Sequence, residues 1–278
     1  MGGDPERKVA RSRFTDVRRV AETGSTNSDA LDLARYGVSE GVVVVADHQT
    51  AGRGRLGRRW EAPPGASLLV SVLLRPPASV ADAVGLTAAL AMAEAVERVC
   101  GVHAALKWPN DLVVAVDGSD RKLAGVLAEA DWPARSQASV GWSPPPSPEA
   151  QSNERLAVVV GIGVNVNWPD ELPDELAGLL TACNHLTGRP VDRDALLAAY
   201  LDRLDVRYGE LLKRGGRVAL VEAWRARLAT LGRRVRVDLG GEDVEGTAVD
   251  VTSEGHLVVE TVAGDRRTFA VGDVVHLR

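Results

Sequence analysis

The sequence predicts an α/β (α+β) protein in which a domain built around a mixed sheet precedes a small β-barrel. Long apolar strands alternate with amphipathic helices as far as about residue 230, and beyond Gly232 the chain changes to short strands separated by turns. Its 278 residues are enough for two domains. We therefore expect a flexible leader over residues 1–20, a first domain over residues 21–230 and a C-terminal domain over residues 231–278.

The helices and strands of the first domain follow from the spacing of its apolar residues. Ser25 or Thr26 can cap a short helix whose first turn is favoured by Asp29. Pro109 cannot sit inside a central strand, so it separates two of the predicted strands. The predicted helices cover residues 25–36, 80–99, 192–212 and 217–229, and the predicted strands cover residues 41–46, 67–74, 104–108, 111–116, 122–130 and 156–166.

The end of the chain predicts a separate small domain. Strands are predicted over residues 233–239, 244–251, 256–261, 267–271 and 274–277. Five short strands within about fifty residues are typical of a small barrel.

A proline-rich segment interrupts the first domain. Residues 131–153 contain five of the chain's 14 prolines. That density predicts a disordered insertion between two strands, and the sequence assigns no function to it.

The composition excludes several classes of protein. The formal net charge is −5, so no general positive field draws the protein onto nucleic acid or an anionic membrane. Cys100 and Cys183 lack the spacing of metal ligands and are too few for a disulfide framework, which favours buried thiols in a reducing compartment. The N-terminus has no signal-peptide core, and we expect no apolar stretch of about 20 residues that could span a bilayer. These observations together predict a cytoplasmic protein.

The most distinctive segment covers residues 48–60 and combines three glycines with four arginines. Glycine lets the backbone approach a ligand closely, and guanidinium groups pair with phosphate or carboxylate. Residues 52–57 also fit the dinucleotide pattern G-x-G-x-x-G, but no strand ends at Gly52 and the Pro-Pro-Gly of residues 63–65 prevents a helix from following. The segment predicts an anion-binding loop. A solvated loop without a ligand and a nucleic-acid-binding loop are the alternatives.

Three further segments place polar side chains beside predicted strand or helix ends. Two lysines, an asparagine and an aspartate flank the break at Pro109 and can present their charges to one cleft, although surface lysines beside a turn would give the same pattern. Residues 161–167 end a strand in glycines and asparagines, which suits a purine ring or a simple bulge. Residues 23–27 form a helix cap whose spare polar groups can also bind a ligand. The candidates are Lys107, Asn110, Asp111, Lys122, Asn165, Ser25, Thr26 and Asn27.

Together these segments resemble the signatures of the biotin protein ligase family. In chain order, the matching segments are residues 23–27 (TGSTN), 47–55 (DHQTAGRGR), 106–111 (LKWPND), 122–125 (KLAG) and 161–165 (GIGVN). The resemblance covers about residues 20–230, and the small barrel lies where that family carries its C-terminal domain. It implies a class II synthetase-like catalytic domain around a mixed sheet, followed by an SH3-like β-barrel.

The resemblance also implies a function. It implies an enzyme that activates biotin's carboxylate with ATP and passes biotin to a lysine of a biotin carboxyl carrier domain. ATP and Mg²⁺ would be its cofactors and biotin a substrate, and the protein would be a monomer or homodimer that binds neither DNA nor a membrane. About twenty residues precede Thr23, too few for the winged helix-turn-helix with which some members repress transcription. The alternatives are a lipoate or octanoyl transferase of the same broad fold and a non-enzymatic nucleic-acid-binding module.

Individual residues take roles from the same resemblance. Lys122 resembles the lysine that bridges biotin's carboxylate and the α-phosphate, while Arg53 and Arg55 resemble the arginines that retain the adenylate. Trp60 resembles the aromatic residue against which adenine packs, and Asp111 is a candidate Mg²⁺ ligand. The predicted catalytic residues are Lys122, Arg53 and Arg55; the predicted biotin-binding residues are Ser25, Thr26, Asn27, Gln49, Gly52, Arg53, Gly54, Arg55, Lys122 and Gly125; and the predicted adenylate-binding residues are Arg53, Arg55, Trp60, Asn110, Lys122 and Asn165.

Overall fold

A seven-stranded sheet forms the centre of the first domain in the computed structural model, which describes residues 12–131 and 154–277. Its strands are β1 (Asp16–Thr23), β2 (Val42–Gln49), β3 (Ser67–Leu74), β4 (Ala105–Lys107), β5 (Asp111–Val116), β6 (Ser119–Asp131) and β7 (Ala157–Asn165). Their spatial order is β1-β2-β3-β7-β6-β5-β4. β1 runs parallel to β2 and every other neighbouring pair is antiparallel, which confirms the predicted mixed sheet.

Helices cover both faces of this sheet. They are α1 (Thr26–Arg35), α2 (Val84–Cys100), α3 (Cys183–Thr187), α4 (Arg193–Leu211) and α5 (Gly216–Arg225). Successive residues of a strand point to opposite faces, so Val43 joins the main core with α2 and Val44 packs with α1 on the other side. This double burial explains why the central strands are continuous apolar runs rather than alternating ones.

The C-terminal residues form a second, five-stranded antiparallel sheet. Its strands are β8 (Arg234–Asp238), β9 (Asp243–Val251), β10 (Leu257–Thr261), β11 (Arg266–Phe269) and β12 (Asp273–His276), in the order β11-β10-β9-β8-β12. Trp108 joins the two domains, because its indole Nε1 donates to the Gly255 carbonyl at 3.1 Å and its backbone N–H donates to the Thr230 hydroxyl at 3.0 Å. The second sheet is therefore attached beside the ends of β4 and β5.

The N-terminal segment departs from the prediction. Residues 16–20 belong to β1 and Phe14 is buried, so the expected flexible leader is wrong for the described part of residues 1–20. Five of the seven residues from Asp16 to Glu22 are polar or small, and all seven are exposed. The strand forms because its backbone pairs with buried β2, and side-chain patterning does not report such pairing.

Other differences are local. Ser25 occupies the N-cap position of α1, but its side chain makes no capping hydrogen bond. The predicted helix over residues 80–99 begins with a 3-10 segment, Ala78–Ala83, and continues as α2. The short α3 was not predicted. Of the predicted insertion over residues 131–153, residues 132–153 lie outside the part that the structure describes.

One helix bears on the expectation of no membrane-length apolar segment. The helical segment Ala78–Cys100 is long and apolar enough to cross a membrane by length and composition alone. Its most apolar window is 61% buried inside the protein, and Leu90, Met92 and Val96 belong to the main core. This helix is apolar because it packs between the seven-stranded sheet and α4.

Candidate active site

A cavity on one face of the seven-stranded sheet gathers most of the predicted site residues. Its open volume, including the solvent at its mouth, is about 720 Å³. The lining comes from the start of α1, the end of β2, the arginine loop (residues 50–60), the start of β5, and β6 and β7. The predicted residues that line it are Ser25, Thr26, Asn27, Gln49, Arg53, Gly54, Arg55, Trp60, Asn110, Asp111, Lys122 and Gly125.

Two glycines of β7 shape the floor of the cavity. A Cβ atom on Gly163 would overlap the indole ring of Trp60, and one on Gly161 would overlap the side-chain amide of Asn27. Gly163 also lies opposite Gly125 of β6, so the two glycines leave a flat strip across the sheet. Only glycine at these positions lets the ring and the amide lie directly against the strand.

A chain of hydrogen bonds forms the neutral polar wall of the cavity. Gln49 Oε1 accepts from the backbone N–H of Thr26 at 2.8 Å and from its hydroxyl at 2.9 Å. The hydroxyl of Ser71 lies 2.7 Å from Thr26 Oγ1 and 2.6 Å from Asn27 Oδ1. Because these partners hold one another, the wall is arranged before any ligand arrives.

Lys122 of β6 lines the same cavity. Its ammonium nitrogen lies 2.7 Å from Asp111 Oδ1 and 5.5 Å from the centre of the Trp60 ring. Its backbone pairs outside the sheet, since the N–H donates to the Leu179 carbonyl at 2.8 Å and the carbonyl accepts from the N–H of Thr181 at 2.9 Å. The register of β5 and β6 shifts beside this residue, between the pairs Leu112–Ala124 and Val113–Lys122.

The arginine loop turns back on itself between Gly52 and Trp60. The N–H of Trp60 donates to the Gly52 carbonyl at 3.0 Å, and the N–H of Gly54 donates to the Arg58 carbonyl at 2.7 Å. At its tip, Leu56 has a left-handed φ of 54° and is 70% exposed. The base of the loop is therefore fixed to the sheet, while its tip projects into solvent.

Two arginines of this loop contact the C-terminal sheet. Arg55 Nη1 donates to Asn110 Oδ1 and to the Gly272 carbonyl, both at 3.3 Å. Arg58 Nη2 donates to the Asp273 carboxylate at 2.6 Å. Burial lowers the pKa of Arg55 below its ordinary value, and the charge of Asp273 opposes that effect. Arginine stays charged at neutral pH, so the loop holds a partly desolvated cation at the cavity, where an anion binds more strongly than in water.

Comparison with known proteins establishes the family. Residues 20–140 match the model described as the biotin/lipoate A/B protein ligase family, and residues 230–277 match the model of the biotin protein ligase C terminal domain. The chain is 38% identical over 277 residues to the biotin--[acetyl-CoA-carboxylase] ligase of Mycobacterium tuberculosis, covering 97% of this chain and 92% of that protein. The chain belongs to the biotin protein ligase family.

Two further relatives of this biotin protein ligase family member extend the comparison. It is 29% identical over 249 residues to the bifunctional ligase/repressor BirA of Bacillus subtilis, which covers 88% of this chain and 70% of that protein. The solved structure of biotin protein ligase from Aquifex aeolicus in complex with biotin and ATP is 28% identical and superimposes with a TM-score of 0.74, covering 95% of this chain and 100% of that one. The predicted class II synthetase-like fold is therefore confirmed.

Two predicted ligand contacts do not lie on the cavity of this family member. A Cβ on Gly52 would overlap the Trp60 carbonyl, so this glycine serves the close approach of the two sides of the loop. Asn165 is 3% exposed, and its Nδ2 donates to the Thr181 carbonyl at 3.1 Å. Its amide fastens the end of β7 to the segment that also holds Lys122. The contact of Asn165 with the adenylate stays a prediction.

Some residues at or beside the cavity escaped the sequence motifs. Ser71 is fully buried within the apolar run of β3, and a polar residue in such a run is a signal that could have found it. Glu129 and Asp273 gave no such signal, because each meets the arginine loop only through the folded structure. The lining residues that were not predicted as site residues are Arg58, Arg59, Leu69, Val126, Leu127, Gly161, Ile162 and Gly163.

The residues present do not form a resident metal site in this biotin protein ligase family member. Within residues 12–131 and 154–277, no group of three or more histidine, cysteine or acidic side chains could hold a metal ion. Among the described residues that line the cavity, Asp111 is the single carboxylate, and it already pairs with Lys122. Asp111 as a ligand of a Mg²⁺ ion that arrives with ATP stays a prediction, because such an ion takes most of its ligands from phosphates and water.

Proposed function

We propose that this protein is a biotin--[biotin carboxyl-carrier protein] ligase. It forms biotinyl-5′-adenylate from biotin and ATP, releases pyrophosphate, and then transfers biotin to a lysine of a biotin carboxyl carrier domain. The observation that carries this proposal is that Lys122, Arg53 and Arg55 line the same cavity as the neutral polar wall. The family supports it, because the relatives described above are named as ligases of this kind or were solved with biotin and ATP.

The uncharged wall fits the cyclic urea of biotin, which offers two N–H donors and a carbonyl acceptor. Asn27 Oδ1 accepts from Ser71 and keeps a second lone pair, since a carbonyl oxygen has two. Hydroxyl and amide groups at this wall can therefore pair with both kinds of urea atom. A dithiolane ring has no N–H, so it would leave these groups unpaired, which favours biotin over lipoate at this site.

The cationic side fits the first chemical step. A carboxylate oxygen of biotin bonds to the α-phosphorus of ATP, and the bond from that phosphorus to the pyrophosphate oxygen breaks. Two anions must meet for this to happen, so Lys122 offsets their repulsion while Arg53 and Arg55 bind the phosphate oxygens. Trp60 offers its ring to the adenine. Mg²⁺ enters this scheme as MgATP, bound by the phosphates of the substrate rather than by a site in the protein.

The second chemical step, the transfer of biotin to the carrier lysine, depends more on the position of the lysine amine than on a strong base. The amine nitrogen of the carrier lysine bonds to the carbonyl carbon of the mixed anhydride, AMP leaves with the electron pair of the broken C–O bond, and the amine gives its proton to solvent. The adenylate must meanwhile be kept from water. The arginine loop lines the cavity through Arg53 and Arg55, and we expect it to supply that cover when the adenylate is bound.

The partner and the setting are part of the proposal. We propose a biotin carboxyl carrier domain of a biotin-dependent carboxylase as the acceptor, and a monomer or homodimer that acts in the cytoplasm and binds neither DNA nor a membrane. A nucleic-acid module would need the arginine loop to present an open basic face. The loop arginines instead pair with carboxylates, Arg53 with Glu129 and Arg58 with Asp273, which disfavours that alternative.

The test is a reconstituted transfer reaction. The full chain is incubated with biotin, MgATP and a recombinant biotin carboxyl carrier domain, and mass spectrometry then looks for a biotinyl group on one lysine. We expect modification that requires ATP and disappears when lipoate replaces biotin. Modification by lipoate instead of biotin would support the transferase alternative, and no modification by either acid would contradict the proposed function.

A further inference from the structure

Glu129 touches two of the residues proposed to bind the substrates without lining the cavity itself. One of its carboxylate oxygens, Oε2, accepts from Asn27 Nδ2 at 2.7 Å and from Arg53 Nη2 at 2.8 Å. The residue stands on β6 opposite Val159 of β7, so its backbone is held by the centre of the sheet. A single oxygen atom on a rigid strand therefore joins the neutral wall to the arginine loop.

The first contact fixes the direction of the Asn27 amide. Asn27 Nδ2 donates to Glu129 and also to the Leu127 carbonyl at 3.2 Å. Both partners can only accept, so the nitrogen of the amide must face β6 and the oxygen must face Ser71. A ligand at this wall consequently meets the spare lone pair of a carbonyl oxygen, which accepts an N–H.

The second contact orients the guanidinium of Arg53. Arginine carries five N–H donors in a planar fork, and the hydrogen bond to Glu129 uses one of them. The remaining edge is available to the oxygens of an anion in the cavity, which Arg53 lines. The ion pair is partly exposed, with 41% of the Arg53 side chain and 26% of the Glu129 side chain accessible, so its contribution to stability is small and its effect is on orientation.

We propose that Glu129 is a positioning residue for both substrates, an inference that rests on the function proposed above. Its contact with Asn27 orients the side-chain amide, so that the amide oxygen can accept a hydrogen bond from an N–H of biotin's ring. Its contact with Arg53 orients the guanidinium group that binds the phosphate of the adenylate. The two contacts make separable contributions, because one requires only an acceptor at position 129 and the other requires a negative charge.

The test compares Glu129→Gln and Glu129→Ala in the full chain with a matched control, Glu242→Gln. Glu242 pairs with Arg267 at 2.7 Å in the C-terminal sheet, so the control removes an equally short ion pair without touching the cavity. Four quantities are measured for each variant. They are the KM for biotin and the kcat in pyrophosphate release, the rate at which labelled adenylate leaves the protein after free substrates are removed, and the midpoint of thermal unfolding.

The two Glu129 variants should differ in a defined way. Glu129→Gln keeps an acceptor for Asn27, so its KM for biotin should stay within about twofold of the wild-type value, whereas adenylate should leave roughly two to five times faster. Glu129→Ala removes both contacts, so its KM for biotin should also rise by about tenfold. Glu242→Gln should match the wild type in all four quantities.

Two results would overturn the inference while the proposed function stands. In one, the wild-type protein biotinylates the carrier and both Glu129 variants keep its KM and adenylate release rate. In the other, glutamine and alanine at position 129 damage both quantities equally and lower the unfolding midpoint in parallel, which would indicate a purely structural residue. If the wild-type protein itself forms no adenylate, the proposed function fails instead.

Discussion

The ammonium nitrogen of Lys122 lies 2.7 Å from a carboxylate oxygen of Asp111, at the place where β6 leaves its regular register with β5. The two side chains are 38% and 25% exposed, so water weakens their attraction and a substrate anion can replace Asp111 at small cost. The backbone of Lys122 is meanwhile fixed by the segment around Leu179 and Thr181. The backbone of Lys122 is thus held firmly, while a substrate anion can take the place of Asp111 beside its ammonium group.

Replacing Lys122 by alanine should reduce adenylate formation by a factor of about 100 or more, because the cation that offsets the repulsion between carboxylate and phosphate is lost. Pyrophosphate release with biotin and MgATP measures the effect. Lys213→Ala is the matched control, since Lys213 is an exposed lysine beyond α4 and lines no part of the cavity. Near wild-type activity in Lys122→Ala would remove this residue from the proposed mechanism.

Replacing Gly163 by alanine should push the ring of Trp60 off the floor of the cavity, because the added Cβ would overlap it. We expect the KM for ATP to rise by roughly tenfold, the order of one lost stacking contact. Gly85→Ala serves as the control, since a Cβ there meets only Ala128 at 3.5 Å, an ordinary contact, and alanine suits a helix. An unchanged KM for ATP with a folded Gly163→Ala protein would contradict the assigned role of Trp60.

Much of the fold could be predicted because its strands and long helices have strong local patterns. β3 and β7 are continuous apolar runs, and α4 is bounded by Asp192, whose side chain caps the helix as its position suggests. β1 could not be recognised, because its residues are exposed and its stability comes from backbone pairing with β2. Patterns of side chains report burial, and they fail where a strand is held by hydrogen bonds at the edge of a sheet.

The residues of the candidate site also fall into those that a local pattern could predict and those that it could not. Residues within a motif, such as Gln49 and Lys122, could be predicted because the motif itself carries the resemblance. Asn165 also stands in a motif, yet its amide is used to fasten β7, which only its folded surroundings reveal. Glu129 and Asp273 act through contacts with arginines that are far away in the chain, so no local spacing could place them.

Replacing Asp273 by alanine should loosen the arginine loop, because Arg58 loses its carboxylate partner at 2.6 Å and Arg55 loses the charge 3.8 Å away. Adenylate should leave the protein roughly two to ten times faster, while the free energy of unfolding falls by less than about 1 kcal/mol. Asp250→Ala is the control, since Asp250 pairs with Arg225 at 3.0 Å and also links the C-terminal sheet to the first domain. Equal retention of adenylate in the two variants would show that the loop does not depend on Asp273.

His276 should make the stability of the protein depend on pH near the join between the domains. Burial lowers the pKa of His276 below its ordinary value near 6.5, Lys107 and Arg233 act in the same direction, and Asp120, whose Oδ2 lies 3.1 Å from Nδ1, opposes them. The folded protein therefore binds this proton less readily than the unfolded chain does. The contribution of the neutral ring is complete above about pH 6.5 and is lost as the pH falls towards the folded pKa.

The unfolding midpoint of the wild-type protein should accordingly fall by roughly 1–4 °C between pH 7 and pH 5.5, and the fall should be smaller in His276→Gln. Glutamine keeps a polar group beside Asp120 and Thr230 but cannot take up a proton, so the comparison isolates the titration from the loss of contacts. If His276→Gln and the wild type lose stability in parallel over this range, carboxylates elsewhere govern the acid sensitivity and His276 does not.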